Sequence, residues 1–361
     1  MRILIDISHP SHVHLFKNMI RNLENKGHKV KITARGKENT LLLNAYGLEY
    51  EVVGKHRDNL VLKGLNMFDI DYKIYKVAKI FKPDICIGES NMYVAHASKL
   101  IKKPSIIFDD SERGIEHYLL FAPFATIICT PSGYRRKVNP KKHVKYNGYK
   151  ELAYLHPNNY KPDSSILDSL NLCECDKFVI LRFNAFASSH DVGIRGFNME
   201  MKYRLIKELE KHSEVFISSE VKLPARFEKY IIQVPQHKLH DILYYATLLV
   251  GDTQTMTTEA AVLGVPAIRC NTFVGPRDMS NFIELEQKYG LIFNFRDPQK
   301  AIEKAVELIQ QPNLKKEWLQ KRKNLLKDKI DVTAFMTWFI ENYPESFKVM
   351  KENPDYQRRF K

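Results

Sequence analysis

The sequence contains few cysteines, and its first residues do not predict a secretory leader. Its five cysteines are Cys86, Cys129, Cys173, Cys175 and Cys270. An odd number, and a start that runs straight into the strand-like RILIDI, predict reduced thiols and a cytoplasmic location. Cys173 and Cys175 are separated by one residue rather than the two usual in zinc knuckles, and no second pair lies nearby. A zinc site is therefore not expected there.

Other absences exclude further classes of protein. The longest apolar run, from Tyr118 to Cys129, is interrupted by Pro123 and is too short to cross about 30 Å of hydrocarbon, so no membrane span is predicted. There is no zinc finger, RNP-type motif or basic heptad region, and specific nucleic-acid binding is not expected. No D-x-D pair of acids stands out, so we expect neither a metal nor another cofactor.

Positive charge, by contrast, is plentiful. The formal net charge is +14, with basic stretches at residues 134–146 (YRRKVNPKKHVKY) and in the final YQRRFK. Phosphorylated small molecules, nucleic acid and the anionic face of a membrane are the partners that such charge attracts. A merely solvated lysine-rich surface is the alternative interpretation.

Apolar runs rich in Ile and Val alternate with segments of helical period. The first half contains RILIDI, KVKIT, YEVVG, DICIG, SIIF, TIICT and VKYNG, and the second contains FVILRF, EVFISS, YIIQVP, TLLVGD, PAIRC and LIFNF. Runs of this kind predict strands buried on both faces of parallel sheets, as in doubly wound α/β folds. With 361 residues and 44% hydrophobic residues, two domains are expected.

These patterns give four predicted segments. They are a Rossmann-like domain at 1–155, a polar linker at 156–177, a second Rossmann-like domain at 178–340 and a helical tail at 341–361. Ligands of such folds bind at the carboxyl ends of the strands, which predicts a site in the cleft between the two domains.

The most informative stretch is Leu248 to Ile268, LLVGDTQTMTTEAAVLGVPAI. A buried strand ends at Gly251, a helix begins near Met256 or Thr257, and Gly264 ends it. The amides of Thr255, Met256 and Thr257 are predicted to point out of this helix, where its dipole favours a phosphate. Two interpretations of Glu259 stay open: it interacts with the helix dipole or belongs to a capping arrangement, or it accepts hydrogen bonds from ribose hydroxyls. Asp252 and Thr253 either cap the helix or line the cleft.

This stretch resembles the nucleotide-sugar signature of GT-B glycosyltransferases and of the non-hydrolysing UDP-GlcNAc 2-epimerases. The resemblance implies that Thr255, Met256 and Thr257 hold the diphosphate and that Glu259 holds the ribose. Taken together, HPSHVHLF, FDDSERG, GYKELAYLHP and TMTTEAAVLGVPAI closely resemble the family called domain of unknown function 354. The implied fold is GT-B-like, with two Rossmann-like domains and a C-terminal helical extension.

Three histidines near the start, His9, His12 and His14, cannot share one helix face and are not expected to form a zinc site. The segment SHVHLFKNMIRNLENKGHKV resembles the GT-B N-terminal pattern, in which His12 takes the place of the catalytic-region histidine and Leu15 stands where a proline is usual. We predict His12 as general base, His9 as a supporting or substrate contact, and His14 as a packing or surface residue.

Carboxylates follow the predicted strand SIIF. Asp109, Asp110 and Glu112 either face the cleft or belong to a capping loop, and Glu89 with His96 follows the preceding strand. Asp110 and Glu112 are predicted site residues. Glu89 and Glu112 correspond to epimerase acids, but the segments FAPFATI and ILRFNAF lack the further acid and histidine that the resemblance would require.

Arg182, which ends the strand FVILR, is predicted to stabilise the leaving diphosphate, because a guanidinium matches phosphate geometry; a surface ion pair is the alternative. Thr253 joins the nucleotide-binding set, and the loop with His190 and Arg195 is expected to reach the cleft.

The function that we expect is transfer of a sugar, in cell-surface polysaccharide biosynthesis, from a nucleotide donor, first of all UDP, to a glycan or lipid-linked acceptor. Peripheral contact at the inner membrane face is also expected. The alternatives are a nucleotide-sugar 2-epimerase and a non-catalytic binding protein that has kept the fold.

Overall fold

The computed structural model describes residues 1–54, 60–184, 195–219 and 223–361. These form two compact units: residues 1–159 together with 329–361, and residues 160–328. None of the helices described here is both long and apolar enough to cross a bilayer.

The first unit is built on parallel strands with helices between them. Its elements are β1 (Arg2–Ile7), α1 (Pro10–Asn25), β2 (Lys29–Ala34), α2 (Lys37–Ala45), β3 (Glu51–Val52), α3 (Leu60–Phe81), β4 (Ile85–Glu89), α4 (Met92–Leu100), β5 (Ser105–Phe108), α5 (Ile115–Phe121), β6 (Ile127–Pro131), β7 (His143–Tyr146) and α6 (Leu152–Leu155). Within the described residues the sheet has seven strands, in the order β3-β2-β1-β4-β5-β6-β7.

The second unit repeats this plan on a smaller scale. Its elements are β8 (Phe178–Phe183), α7 (Met199–Leu209), β9 (Glu214–Ser219), α8 (Leu239–Tyr245), β10 (Leu248–Gly251), α9 (Thr255–Leu263), β11 (Ala267–Cys270), α10 (Ser280–Gln287), β12 (Ile292–Phe295), α11 (Pro298–Ile309) and α12 (Leu314–Asp328). The sheet order is β12-β11-β10-β8-β9, with five strands among the residues described.

The apolar runs form the sheets as predicted, and the Ile, Val and Leu side chains of the central strands are buried, whereas Val52 in the short edge strand β3 is exposed. The segment YIIQVP is the exception. Tyr230 ends a 3₁₀ segment, Ala225–Tyr230, and Ile231 makes only an isolated bridge to Ile217. Pro235 has no N–H to donate to a ladder, which helps to explain why no strand forms there.

The compact units divide the chain between residues 159 and 160 and between 328 and 329, whereas the predicted divisions are the linker at 156–177 and residue 340. Residues 160–177 belong to the second unit, where the Tyr160 hydroxyl donates to Asp241 at 2.9 Å. The last helices, α13 (Val332–Glu341) and α14 (Glu345–Glu352), return to the first unit. There the buried Thr333 hydroxyl donates to the carbonyl of Ala153 at 2.5 Å. Residues 329–340 were predicted in the second domain because helical periodicity says nothing about which sheet a helix covers.

Candidate functional site

In the first sheet, the order in which successive strands are added reverses between β1 and β4. Strands β2 and β3 lie on one side of β1, and β4 to β7 continue on the other, with Asp6 paired to Thr33 and to Gly88. The loops after the two central strands then leave in opposite directions and open a crevice at the carboxyl ends, where open α/β sheets bind their ligands. His9 lies in the loop after β1, and Glu89 is the last residue of β4.

His12 is positioned by the start of α1. Pro10 opens the helix, and His9 is its N-cap, since the His9 Nδ1 accepts a hydrogen bond from the Ser11 amide at 3.2 Å. His9 thus caps the turn on which His12 stands, and its predicted contribution to the reaction stays a prediction. His14 is buried, with its Nδ1 at 3.2 Å from the Tyr46 hydroxyl and its ring packed on Tyr154.

The His12 imidazole lies between the ends of β1 and β4. Its Nε2 is 3.5 Å from Oε2 of Glu89, and its Nδ1 is 3.4 Å from the Ser8 hydroxyl. Burial lowers the pKa of His12 well below its usual 6.5, and the positive charges of His9, Lys150 and Arg35 lower it further. The imidazole is therefore neutral at pH 7 and can accept a proton.

Lys150 joins this group, although no motif in the sequence points to it. Its ammonium lies 3.0 Å from Glu89 Oε1 and 3.1 Å from Asp110 Oδ2. Burial acts to lower the pKa of Lys150, but Asp110 and Glu89 outweigh it and hold that pKa well above its usual value. The structure thus brings Asp110 and His12 to one cluster through Glu89 and Lys150. The sequence gives no local signal for Lys150, which stands with Glu151 before the apolar run LAYL without forming a recognisable catalytic motif.

Asp109, by contrast, faces the interior. Its carboxyl accepts hydrogen bonds from the Ser90 hydroxyl at 2.6 Å and from the Tyr134 hydroxyl. Ser90 has a φ of 44°, a left-handed conformation that is uncommon for serine and often found at functional sites. Burial raises the pKa of Asp109 to about 6 despite these two donors. The network fixes the loop that follows Glu89.

Glu112 takes part in a separate set of contacts. Its Oε1 accepts a hydrogen bond from the Arg135 amide at 2.8 Å, and its Oε2 is 3.7 Å from the Arg135 Nε. These contacts attach the loop after β5 to the basic segment before β7. The described contacts do not include one between Glu112 and His12, so its predicted catalytic contribution stays a prediction.

In the second sheet, the order in which successive strands are added reverses between β8 and β10. The carboxyl ends of these neighbouring strands carry Asn184 and Asp252, and the Asn184 amide donates to the Asp252 carboxylate at 2.7 Å. Gly251 is required here, because a Cβ at this position would lie 2.4 Å from the Arg182 carbonyl oxygen. Thr253 follows, and among the described residues its buried hydroxyl has no hydrogen-bond partner.

Helix α9 begins at Thr255, close to the predicted start, and ends at Gly264, whose φ of 79° suits glycine. The prediction of three free amides is wrong for one of them. The Thr257 amide donates to the Gln254 carbonyl at 3.1 Å, because the first turn closes tightly. The amides of Thr255 and Met256 have no acceptor among the described residues, so these two remain available to an anion.

Glu259 lies one turn further along α9 and is buried. Its Oε1 is 3.0 Å from Nε2 of His240, which α8 supplies. A ribose is therefore not the only partner suited to this carboxylate, and its predicted ribose contact stays a prediction. The sequence offered no local signal for the pair, since 19 residues separate its members.

Two cations stand near the end of β8. Arg182 donates from Nη1 to the Ser218 hydroxyl at 2.7 Å on the neighbouring strand β9. Lys202, which the sequence analysis did not select, is buried on α7 with its ammonium 4.5 Å from the centre of the Phe183 ring. Burial lowers the pKa of Lys202, and Asp252 only partly compensates.

Arg195 pairs through its backbone with Thr272 after β11, and His190 lies outside the described residues.

The cysteines differ in part from the expectation of reduced thiols. Cys173 and Cys175 form a disulfide, whereas Cys86, Cys129 and Cys270 are buried and free. Within the part of the chain that the structure describes, the one group with metal-ligand spacing is this exposed pair together with Asp176. It lies in the first part of the second unit, away in sequence from every predicted site residue.

Comparison with known proteins agrees with this architecture. The family model described as "Protein of unknown function (DUF354)" matches residues 1–336. The chain belongs to this family. An uncharacterized protein of Methanocaldococcus jannaschii is 24% identical over 276 residues, which cover 74% of this chain and 80% of the relative.

Solved structures of GT-B proteins share the fold. The UDP-GlcNAc 2-epimerase of Methanocaldococcus jannaschii aligns with a TM-score of 0.64 and 15% identity, covering 90% of this chain and 99% of the epimerase. Spinosyn rhamnosyltransferase SpnG, complexed with spinosyn aglycone, aligns with a TM-score of 0.61 and 13% identity, covering 95% and 100%. This member of the DUF354 family therefore has the GT-B-like fold that the sequence predicted.

Proposed function

We propose that this protein is a glycosyltransferase that moves a sugar from a nucleotide donor, with UDP as the first candidate, to a hydroxyl of a glycan or lipid-linked acceptor. The observation that carries the proposal is the position of the buried His12 imidazole, whose Nε2 lies 3.5 Å from Glu89 Oε2 at the point where the strand order of the first sheet reverses. A positioned histidine with a carboxylate behind it is suited to general base catalysis.

The proposed reaction uses both nitrogens of His12. A proton on Nε2 directed at Glu89 orients the ring and leaves the Nδ1 lone pair for the acceptor hydroxyl, which would replace the Ser8 hydroxyl now 3.4 Å away. As His12 takes that proton, the acceptor oxygen bonds to the anomeric carbon. The bond from this carbon to the diphosphate breaks, and its electron pair leaves on the diphosphate oxygen.

In this proposal the second unit holds the donor. The amides of Thr255 and Met256 supply donors to the diphosphate, and the buried Thr253 hydroxyl supplies another. The ammonium of Lys202 lacks a close counter-ion among the described residues, a need that a diphosphate would meet. Glu259 would accept the ribose hydroxyls with its pair to His240 rearranged or shared.

Epimerisation of a nucleotide sugar is the second candidate. Lys150 holds two carboxyl groups, Glu89 and Asp110, beside a neutral histidine. Such a set could remove a proton from carbon and return it. A protein that binds a nucleotide sugar without turning it over is the third.

One experiment separates the three candidates. The protein is first titrated with UDP, GDP, dTDP and CMP, and the nucleotide sugars of the base that binds are then incubated in D₂O with and without cell-envelope glycan or lipid acceptors. Transferase activity predicts nucleoside diphosphate release that depends on the acceptor. Deuterium at C2 of the sugar without any acceptor would indicate the epimerase, binding with neither product would indicate the binding protein, and failure to bind any nucleotide would refute all three.

A further inference from the structure

An exposed apolar surface lies on α5 and the turn that follows it. Ile115 and Leu119 are 55% and 61% exposed, and Leu120 and Phe124 are 38% and 42% exposed. Phe121, on the same helix, is fully buried and anchors it to the unit. We call the surface formed by these four exposed residues the α5 patch.

The α5 patch extends towards α3 through His96 on α4. The His96 Nε2 is 3.0 Å from the Leu120 carbonyl oxygen, its ring packs edge-on against Phe124 at 4.5 Å, and its Nδ1 is 3.1 Å from Asp71 on α3. Phe68 and Tyr72, which flank this position on α3, are 68% and 60% exposed. Exposed apolar side chains therefore occur on both helices that His96 contacts, and an exposed apolar group such as the α5 patch usually marks an interaction site.

A basic cavity lies beside α5. It has a volume of about 550 Å³, and its lining includes Arg135, Arg136, Lys137 and Lys145 but no carboxylate. Arg136 lies 4.8 Å above the ring of Tyr118 on α5, and the Tyr118 hydroxyl donates to the Lys137 carbonyl at 3.5 Å. Direct contacts through Tyr118 thus join the cavity to α5, the helix that carries Ile115, Leu119 and Leu120 of the α5 patch.

Further charges lie around this surface. Lys142 donates from Nζ to the Ala125 carbonyl at 3.3 Å, at the C-terminal side of α5. The nearby carboxylates are few: Glu112 contacts Arg135, Asp71 contacts His96, and Glu116 lies on α5 itself. Cations are therefore in excess beside the apolar residues.

We propose that this surface docks the protein on an anionic lipid bilayer, with the α5 patch entering the interface and the basic cavity receiving phosphate headgroups. The argument is charge complementarity joined to apolar exposure, because interfacial binding gains from buried apolar area and from attraction to anionic lipids together. This assignment does not depend on which reaction the protein catalyses, although a surface of this kind would give access to a lipid-linked acceptor.

The test is sedimentation of the full chain with vesicles of phosphatidylcholine alone or with 30% phosphatidylglycerol, on the order of a physiological anionic fraction. We expect binding to the anionic vesicles only, weakened by salt. The double substitution Ile115→Ser with Leu119→Ser, and separately Lys137→Gln with Lys145→Gln, should each lower the partition constant about tenfold or more.

Matched controls are available on other surfaces. Leu41 on α2 is 55% exposed, like Ile115, and Lys316 and Lys323 are exposed on α12. Leu41→Ser and the pair Lys316→Gln with Lys323→Gln should leave the partition constant unchanged. Circular dichroism and nucleotide binding check that each variant is folded, and nucleotide binding also keeps this test separate from the test of the proposed reaction.

Four results would overturn the proposal. They are absence of vesicle binding, equal binding to neutral vesicles, equal losses in the control variants, and a concentration-dependent dimer in light scattering that Leu119→Ser abolishes while vesicle binding persists. The last would assign the α5 patch to a second copy of the chain.

Discussion

Asp109 gives the prediction whose size follows most directly from the structure. Its side chain is buried, and its pKa rises from 3.8 to about 6. At 1.36 kcal/mol for each tenfold change in proton affinity, the difference corresponds to about 3 kcal/mol. Between pH 4 and pH 7 the folded chain binds this proton more tightly than the unfolded chain, so this group's contribution to stability is present below pH 4 and is lost as the pH rises through 6.

The substitution Asp109→Asn removes the titration and keeps the shape of the protonated acid. The free energy of unfolding of the first unit, measured by urea denaturation at several pH values, should then depend less on pH than in the unsubstituted protein. From pH 4 to pH 7 the free energy of unfolding of Asp109→Asn should rise relative to that of the unsubstituted protein by about 2 kcal/mol, and by about 3 kcal/mol when the comparison starts below pH 3. Asp355→Asn, at a side chain that is 71% exposed, is the control. Parallel pH profiles for Asp109→Asn and the unsubstituted protein would refute this account of the buried carboxyl.

Three further substitutions test other parts of the structure. Lys150→Met should destabilise the first unit by about 3–5 kcal/mol in denaturant titrations, because it leaves Glu89 and Asp110 without their cation. Lys31→Met is the control; it removes an exposed ion pair to Glu51 and should cost less than about 1 kcal/mol. Equal losses in the two variants would contradict the buried cluster. Gly251→Ala should destabilise the second unit by about 1–3 kcal/mol, since its Cβ meets the Arg182 carbonyl, and an unchanged melting temperature would argue against that close strand contact. Thr253→Val should weaken nucleotide binding about tenfold or more in calorimetry while Thr253→Ser retains it, and equal affinity for the two variants would remove Thr253 from the donor site.

Most of the fold could be predicted from the sequence, because strands that are buried on both faces consist of consecutive apolar residues. Twelve of the thirteen predicted runs are strands in the structure, and YIIQVP fails where a 3₁₀ segment and Pro235 compete with the ladder. The place of α13 could not be read from the sequence, since its contacts with the first unit, such as Thr333 with Ala153, depend on which surface the chain returns to.

The candidate site was only partly predictable for the same reason. His12 and the start of α9 have local signatures, namely a histidine after the first strand and a polar turn before a helix. Lys150 and Lys202 have none, because their importance comes from partners that the fold brings near: Glu89 is 61 residues from Lys150, and Phe183 lies across from α7. The closed amide of Thr257 likewise depends on how tightly the first turn winds.

The central claim is that His12 is the base of a transfer reaction for which the second unit binds the donor. The most direct measurement compares the unsubstituted protein with His12→Gln, using nucleotide affinity from calorimetry and acceptor-dependent release of nucleoside diphosphate. We predict unchanged affinity and a turnover lower by about 10²- to 10⁴-fold. Since the pKa of His12 is held well below 6.5, the turnover of the unsubstituted protein should stay constant from pH 7 down to pH 6.5 and fall only in more acid solution. Full turnover in His12→Gln, or loss of nucleotide binding together with turnover, would contradict the claim.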